Sequence, residues 1–239
     1  MRPPLTLNHN PFRYFKTSLE VIRLAVMMYV RFPLSLRNVE DLLHERGIDI
    51  CHETVRFWWN QFGPILAHEI RNRRTYSHEY SNWRWHLDEV FVRINGETRY
   101  LWRAVDHEGE VLESFVTKRR DRRAALDFLK RAMKRYSAPR IIVIDHLRSY
   151  RAAMNVIGNA TNQETGRWLN NRAEHSHLSF RRRERAMSRC RLERTLQKFT
   201  AIHASVCNHF NHQRHLIQRD DFKTKLKAAL IEWQQLAAA

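Results

Sequence analysis

Acidic residues are in short supply. The 239-residue sequence holds 25 Asp and Glu against 42 Lys and Arg, a formal net charge of +17 with histidine neutral. That imbalance argues for a polyanionic partner, most simply nucleic acid, gripped through its phosphates. A ribosomal or membrane-surface protein would share the charge, but seven tryptophans fit those classes less well. Cysteine is scarce too: Cys51, Cys190 and Cys207 are odd in number and widely spaced, which excludes a disulfide framework and favours a reducing cytoplasm. Cys207, His209, His212 and His215 cluster loosely, yet their spacing matches no standard zinc finger. Long apolar runs are missing. The most apolar early stretch, Leu19 to Phe32, is too short for a membrane span and carries Glu20, Arg23 and Arg31. With no signal-peptide layout either, the expectation is a soluble intracellular protein with no membrane partner. There are no internal repeats. What is present, 43% apolar and 11% aromatic residues, supports a real core and excludes wholesale disorder.

The stretch Trp85 to Gly96, WHLDEVFVRING, reads as a central strand with apolar residues on both faces, closed by an Asn95-Gly96 hairpin signal. Asp88 shares a face with Val90, Val92 and Ile94, so its carboxylate points into an apolar layer. That is costly unless an arginine or a metal meets it. Arg140 to Asp145, RIIVID, has the character of a buried parallel strand and also ends in a carboxylate. Other acids compete for a role. Glu89 is expected on the opposite face, Asp106 at a turn and Glu164 in a polar loop.

Before these strands, residues 17–30, 35–46 and 52–62 each show a helical stripe, the last stopped by Gly63-Pro64. Three short helices fit a helix-turn-helix module, with His52, Glu53, Arg56 and Asn60 facing the major groove and Val55, Trp58 and Trp59 in the core. After a linker come three antiparallel strands, a helix capped by Asp121, the strand bearing Asp145, a helix from about Ser149 to Val156, and a polar loop over 158–166. A helix from about Asn171 would align Glu174, His177 or Leu178, Arg181 and Arg185. Arginines crowd 181–194 and favour phosphate contact. Two more helical stripes follow, Leu196 to Phe210 and Phe222 to Trp233. This order is that of a ribonuclease-H-like domain. The fold class is therefore α/β: a mixed sheet flanked by helices, preceded by a small all-α helix-turn-helix domain. The expected units are 1–80 (helix-turn-helix region and linker), 81–215 (catalytic domain) and 216–239 (C-terminal helix).

Asp88, Asp145 and Glu174, with 56 and then 28 residues between them, can converge as oxygen ligands for Mg²⁺. Spacing alone does not choose this trio. The strings WHLDEVFVRING, IDHLRSY and LNNRAEHSH followed by RRRER resemble the DDE transposases of the insertion-sequence-six family. The sequence departs from that pattern in a shorter second spacing, in NQETGRW before the Asn-Asn pair, and at His146 and His175. The resemblance implies that Asp88, Asp145 and Glu174 are the catalytic, metal-holding triad, with Mg²⁺ as cofactor and Mn²⁺ as its substitute. With it, Arg181, Arg182, Arg183 and Arg185 are expected to position phosphates, and His177 to assist proton transfer, contact DNA or serve as a plain structural histidine, while Arg56 and Asn60 are the DNA contacts expected from the third helix. The implied reaction is cleavage at the ends of an insertion sequence and strand transfer into target double-stranded DNA. A homodimer or larger assembly would do this in the bacterial cytoplasm, on the nucleoid. A catalytically impaired regulator of transposition and a nuclease that cuts without joining are the alternatives.

Overall fold

The computed structural model describes residue 12 and residues 15–75, 83–145, 147–158, 160–165, 169–187, 191–211 and 217–237. His146, Cys190, His212 and His215 lie outside the described residues, as do residues 76–82 of the stretch 65–82 expected to hold a helix end and a linker. Three helices come first: α1 (Leu19–Arg31), α2 (Leu36–His44) and α3 (His52–Thr75). Ser35 caps α2 in a reciprocal box with Asn38. The expected stop at Gly63-Pro64 does not occur, and α3 runs through it as one helix. A proline inside a helix costs roughly 3 kcal/mol. Trp58, Trp59, Phe62, Leu66, Ala67 and Ile70 are all buried along the same stripe, and each large side chain returns about 1.5–3 kcal/mol. Gly63 has a different use: a Cβ there would lie 3.2 Å from the Ile202 side chain, so the glycine marks a close helix crossing.

The sheet follows: β1 (Arg84–Ile94), β2 (Glu97–Asp106), β3 (Val111–Thr117), then α4 (Arg122–Tyr136), β4 (Ile141–Ile144), α5 (Arg148–Ile157) and β5 (Gln163–Thr165). Its spatial order is β3-β2-β1-β4-β5, with β1 antiparallel to β2 and parallel to β4. Asn95 and Gly96 take φ of 51° and 83° in the β1–β2 hairpin. Asp106 is the expected turn residue, accepting the Glu108 and Glu110 amides at 2.9 Å. The supposed polar loop contains β5, which pairs in parallel with β4. This edge strand has no apolar alternation to announce it, and Glu164 is held by Arg84 at 2.9 Å.

Three helices close the chain: α6 (Asn171–Ala186), α7 (Glu193–His209) and α8 (Arg219–Gln235). One face of the sheet, through Trp85, Leu87, Trp102 and Ala104, packs on Phe128 and Leu129 of α4 and Tyr150 and Met154 of α5. The other, through Val92, Ile94, Leu101 and Val116, shares a continuous apolar cluster with Phe180, Phe199, Ile202, Trp58 and Trp59. The N-terminal helices thus help build the core over the sheet. Buried Arg23 of α1 donates to the Gln234 and Leu236 carbonyls, tying the end of α8 to α1.

Candidate active site

β1 and β4 lie in parallel register up to Leu87 opposite Ile144. The next residue on each chain is Asp88 and Asp145, so two carboxylates emerge side by side where β4 ends. This is the carboxyl end of a parallel strand pair, a usual place for ligands in open α/β sheets. Oxygens of Asp88, Glu89 and Asp145 all lie within 4.8 Å of one another. Alternation does send Asp88 towards α6 and Glu89 towards Arg120 and Tyr150. It did not keep Glu89 out of the cluster, as the sequence had suggested. With β4 finished, no strand stands between Glu89 and Asp145.

The three acids are graded in exposure: the side chains of Glu89, Asp88 and Asp145 are 2%, 17% and 41% exposed. The cluster therefore opens to solvent at Asp145. The Arg120 guanidinium contacts Glu89 and stands 3.9 Å from Asp145. Burial pushes the Glu89 carboxyl up to about 7; the Asp145 and Asp88 charges add to this and Arg120 opposes it. His177 Nε2 lies 3.2 Å from Asp88 Oδ2. Burial lowers the imidazole's pKa against the pull of Asp88, which favours a neutral ring. Carboxylate oxygens alone, more numerous than the cations beside them, suit a hard divalent metal ion.

Glu174 stands apart from this group. It is exposed, in the first turn of α6, and is not among the acids within 4.8 Å. Its helix is nonetheless fastened to the site. Buried Asn170 donates to the Leu87 carbonyl at 2.9 Å, immediately before Asp88. One turn after Glu174, His177 reaches Asp88 itself.

The arginine-rich helix divides. Arg182 and Arg185 are exposed, and Arg181 pairs with Glu184 at 2.8 Å. Arg183 is a correction. It is 1% exposed, its guanidinium 4.2 Å above the Tyr29 ring and 5.3 Å from Phe199, so helical phase sends it into the core and away from phosphate. His177 is likewise buried against Asp88, and Leu178 takes the exposed position beside it. On α3, Arg56 and Asn60 are exposed as expected; Arg56 pairs with Glu53 at 2.9 Å, and Lys198 donates to both oxygens of Asn60. Sequence reasoning missed Arg120, Arg148 and Arg151. The last two line a cleft of about 440 Å³ that opens beside Asp145. Their signal was available: cations three apart on the helix that directly follows the second carboxylate.

Neighbouring carboxylates at the junction of the antiparallel and parallel halves of a mixed sheet are the arrangement expected of a ribonuclease-H-like polynucleotidyl transferase. A family described as a DDE domain matches residues 82–213. Over 201 residues the chain is 33% identical to the transposase of insertion sequence-like element IS431mec from Staphylococcus aureus, covering 82% of this chain and 88% of that protein. It is 32% identical, with the same coverage, to the transposase of element IS257 in transposon Tn4003 of that organism. A chain of the simian T-cell lymphotropic virus intasome aligns at 16% identity over 66% of this chain and 56% of that one, with a TM-score of 0.40, a likeness too slight to weigh. The chain belongs to the DDE transposases, in the insertion-sequence-six family.

Proposed function

We propose that Asp88, Asp145 and Glu174 carry the reaction of an insertion-sequence transposase: cleavage at the element's ends, then attack of the freed 3′-hydroxyl on target DNA. The observation that carries this reading is the adjacency of Asp88 and Asp145, with the first turn of α6 pinned beside them through Asn170 and Leu87. Residues three apart on a helix share a face, so the face that meets Asp88 through His177 also presents Glu174. The donor set fits Mg²⁺, with Mn²⁺ as its substitute, because open carboxylate ligation leaves places for water and phosphate. When bound, two such ions supply activation of the attacking oxygen and charge neutralisation at the leaving one.

The chain's own residues bind and orient. Neutral His177, its Nε2 3.2 Å from Asp88 Oδ2, orients that carboxylate. Arg148 and Arg151 hold phosphates along the cleft at Asp145, Arg120 holds them at the acids themselves, and Arg181, Arg182 and Arg185 hold them beyond Glu174. Arg56 and Asn60 of α3 read double-stranded DNA at the element's ends. Residues 1–80 serve recognition, 81–215 catalysis and 216–239 closure of the core. A homodimer or larger assembly pairs two ends, on the nucleoid in the bacterial cytoplasm.

Purified protein incubated with DNA carrying the element's terminal repeats should give cut 3′ ends and joined products with Mg²⁺ or Mn²⁺, and none with chelator. Cutting without joining would make the protein a nuclease. End binding without cutting would make it a regulator of transposition, the reading favoured by the position of Glu174 outside the cluster.

A further inference from the structure

Beyond the acidic cluster the sheet carries a second feature. Phe91 lies on the Glu89 face of β1, opposite Tyr100 of β2, which pairs in turn with Thr117 of β3. The preceding cross-strand row, with Trp102 and Phe115, belongs to the cluster under α4 and α5. At the Phe91 row that cover thins: Tyr100 still packs against the cluster, and Phe91 does not belong to it. Phe91 is 51% exposed, its ring edge-on to Tyr100 at 5.5 Å. Arg120, the guanidinium that contacts Glu89, stands 5.8 Å from the Phe91 ring. The Thr117 hydroxyl accepts from the Trp102 indole at 2.7 Å and donates to the Arg119 carbonyl at 2.8 Å, which fixes the turn that delivers Arg120. Arg93, Lys118 and Arg119 are exposed around this row.

We propose that Phe91, backed by Tyr100, is a stacking platform for an unpaired nucleobase of the DNA strand whose phosphate lies at the acidic cluster. An aromatic face rimmed by cations matches a single strand, which offers flat bases and negative phosphates together. Two residues along a strand span about 7 Å, so one nucleic-acid strand can touch both the platform and the acids. A second copy of the chain is the poorer occupant, because it would bring another net charge of +17 to a cationic surface. The inference takes its ligand from the transposase reading, but its test does not depend on cleavage.

The test is fluorescence anisotropy with labelled oligothymidylate and, separately, labelled duplex, titrated with wild type, Phe91→Ala and Phe91→Trp. Phe91→Ala should weaken single-strand binding about tenfold, leave duplex binding within about twofold, and keep the same salt dependence, since no charge is removed. Phe91→Trp should restore single-strand affinity. Equal losses on both DNAs, no loss at all, or failure of Phe91→Trp to rescue would overturn the platform. End cleavage run in parallel separates the two claims. A wild type that cuts nothing, with Phe91→Ala still losing single-strand affinity, removes the transposase reading and keeps the platform.

Discussion

The two halves of the candidate site are held by different means. Asp88 and Asp145 are placed by a sheet: four consecutive residue pairs of β1 and β4 fix their register, and both strands are buried up to the acids. Glu174 is placed by a helix end whose ties to β1 are Asn170 to the Leu87 carbonyl and His177 to Asp88. The strand-borne pair cannot shift without breaking a ladder inside the core. The helix-borne acid is held at one remove, through Asn170, His177 and the bond from Arg103 to the Ser176 carbonyl. In this structure the third carboxylate beside the pair is accordingly Glu89, buried and held by Arg120. Under the proposed assignment, a pair fixed by strands and a third acid carried by a helix suit a site whose last part is set when DNA arrives.

The comparison breaks first at the rigid half. Asp145→Asn should reduce end cleavage at least a hundredfold, since residues that merely orient metal ligands are already worth about 10–100-fold. End binding and Tm should stay near wild type, as gel shift and thermal melting will report. Glu174→Gln against Glu89→Gln sharpens it. Glu174→Gln should match the loss at Asp145, with stability within about 0.5 kcal/mol because the residue is exposed. Glu89→Gln should retain more cleavage, since its carboxyl already binds a proton readily near neutrality. The reverse ranking in single-turnover assays would make Glu89 the third ligand.

Smaller effects probe the tie between α6 and β1 and the surface. Asn170→Ala removes the bond to the Leu87 carbonyl, so it should cost about 0.5–1.5 kcal/mol in denaturant melts and slow cleavage while end binding persists. Arg182→Ala and Arg185→Ala should each lower the slope of log affinity against log salt by about one. Arg183→Ala should leave that slope alone and instead lower stability by about 2 kcal/mol, the worth of a desolvated cation over an aromatic face.

Much of this was legible in the sequence where local chemistry decides. Asn95-Gly96, Ser35 and Asp121 announced a hairpin and two helix starts, and all three do that work. The adjacency of Asp88 and Asp145 followed from two strand patterns that each carry an acid, one within its strand and one at the strand's end. Features set by distant packing were not legible. The continuation of α3 through Pro64 depends on a stripe that α1 and the distant α7 complete. The burial of Arg183 depends on Tyr29, far back in the chain. Glu89 joined the cluster because β4 stops one residue before Asp145, and strand ends are what patterns of alternation specify least.

Titration of Mn²⁺ into wild type, Asp145→Asn and Glu174→Gln, with and without end DNA, tests the divided site most directly. Wild type should bind the ion in both states. Asp145→Asn should fail in both, and Glu174→Gln should match wild type without DNA and fall below it once DNA is added. Mn²⁺ binding by Asp145→Asn equal to wild type would contradict a metal centre between β1 and β4.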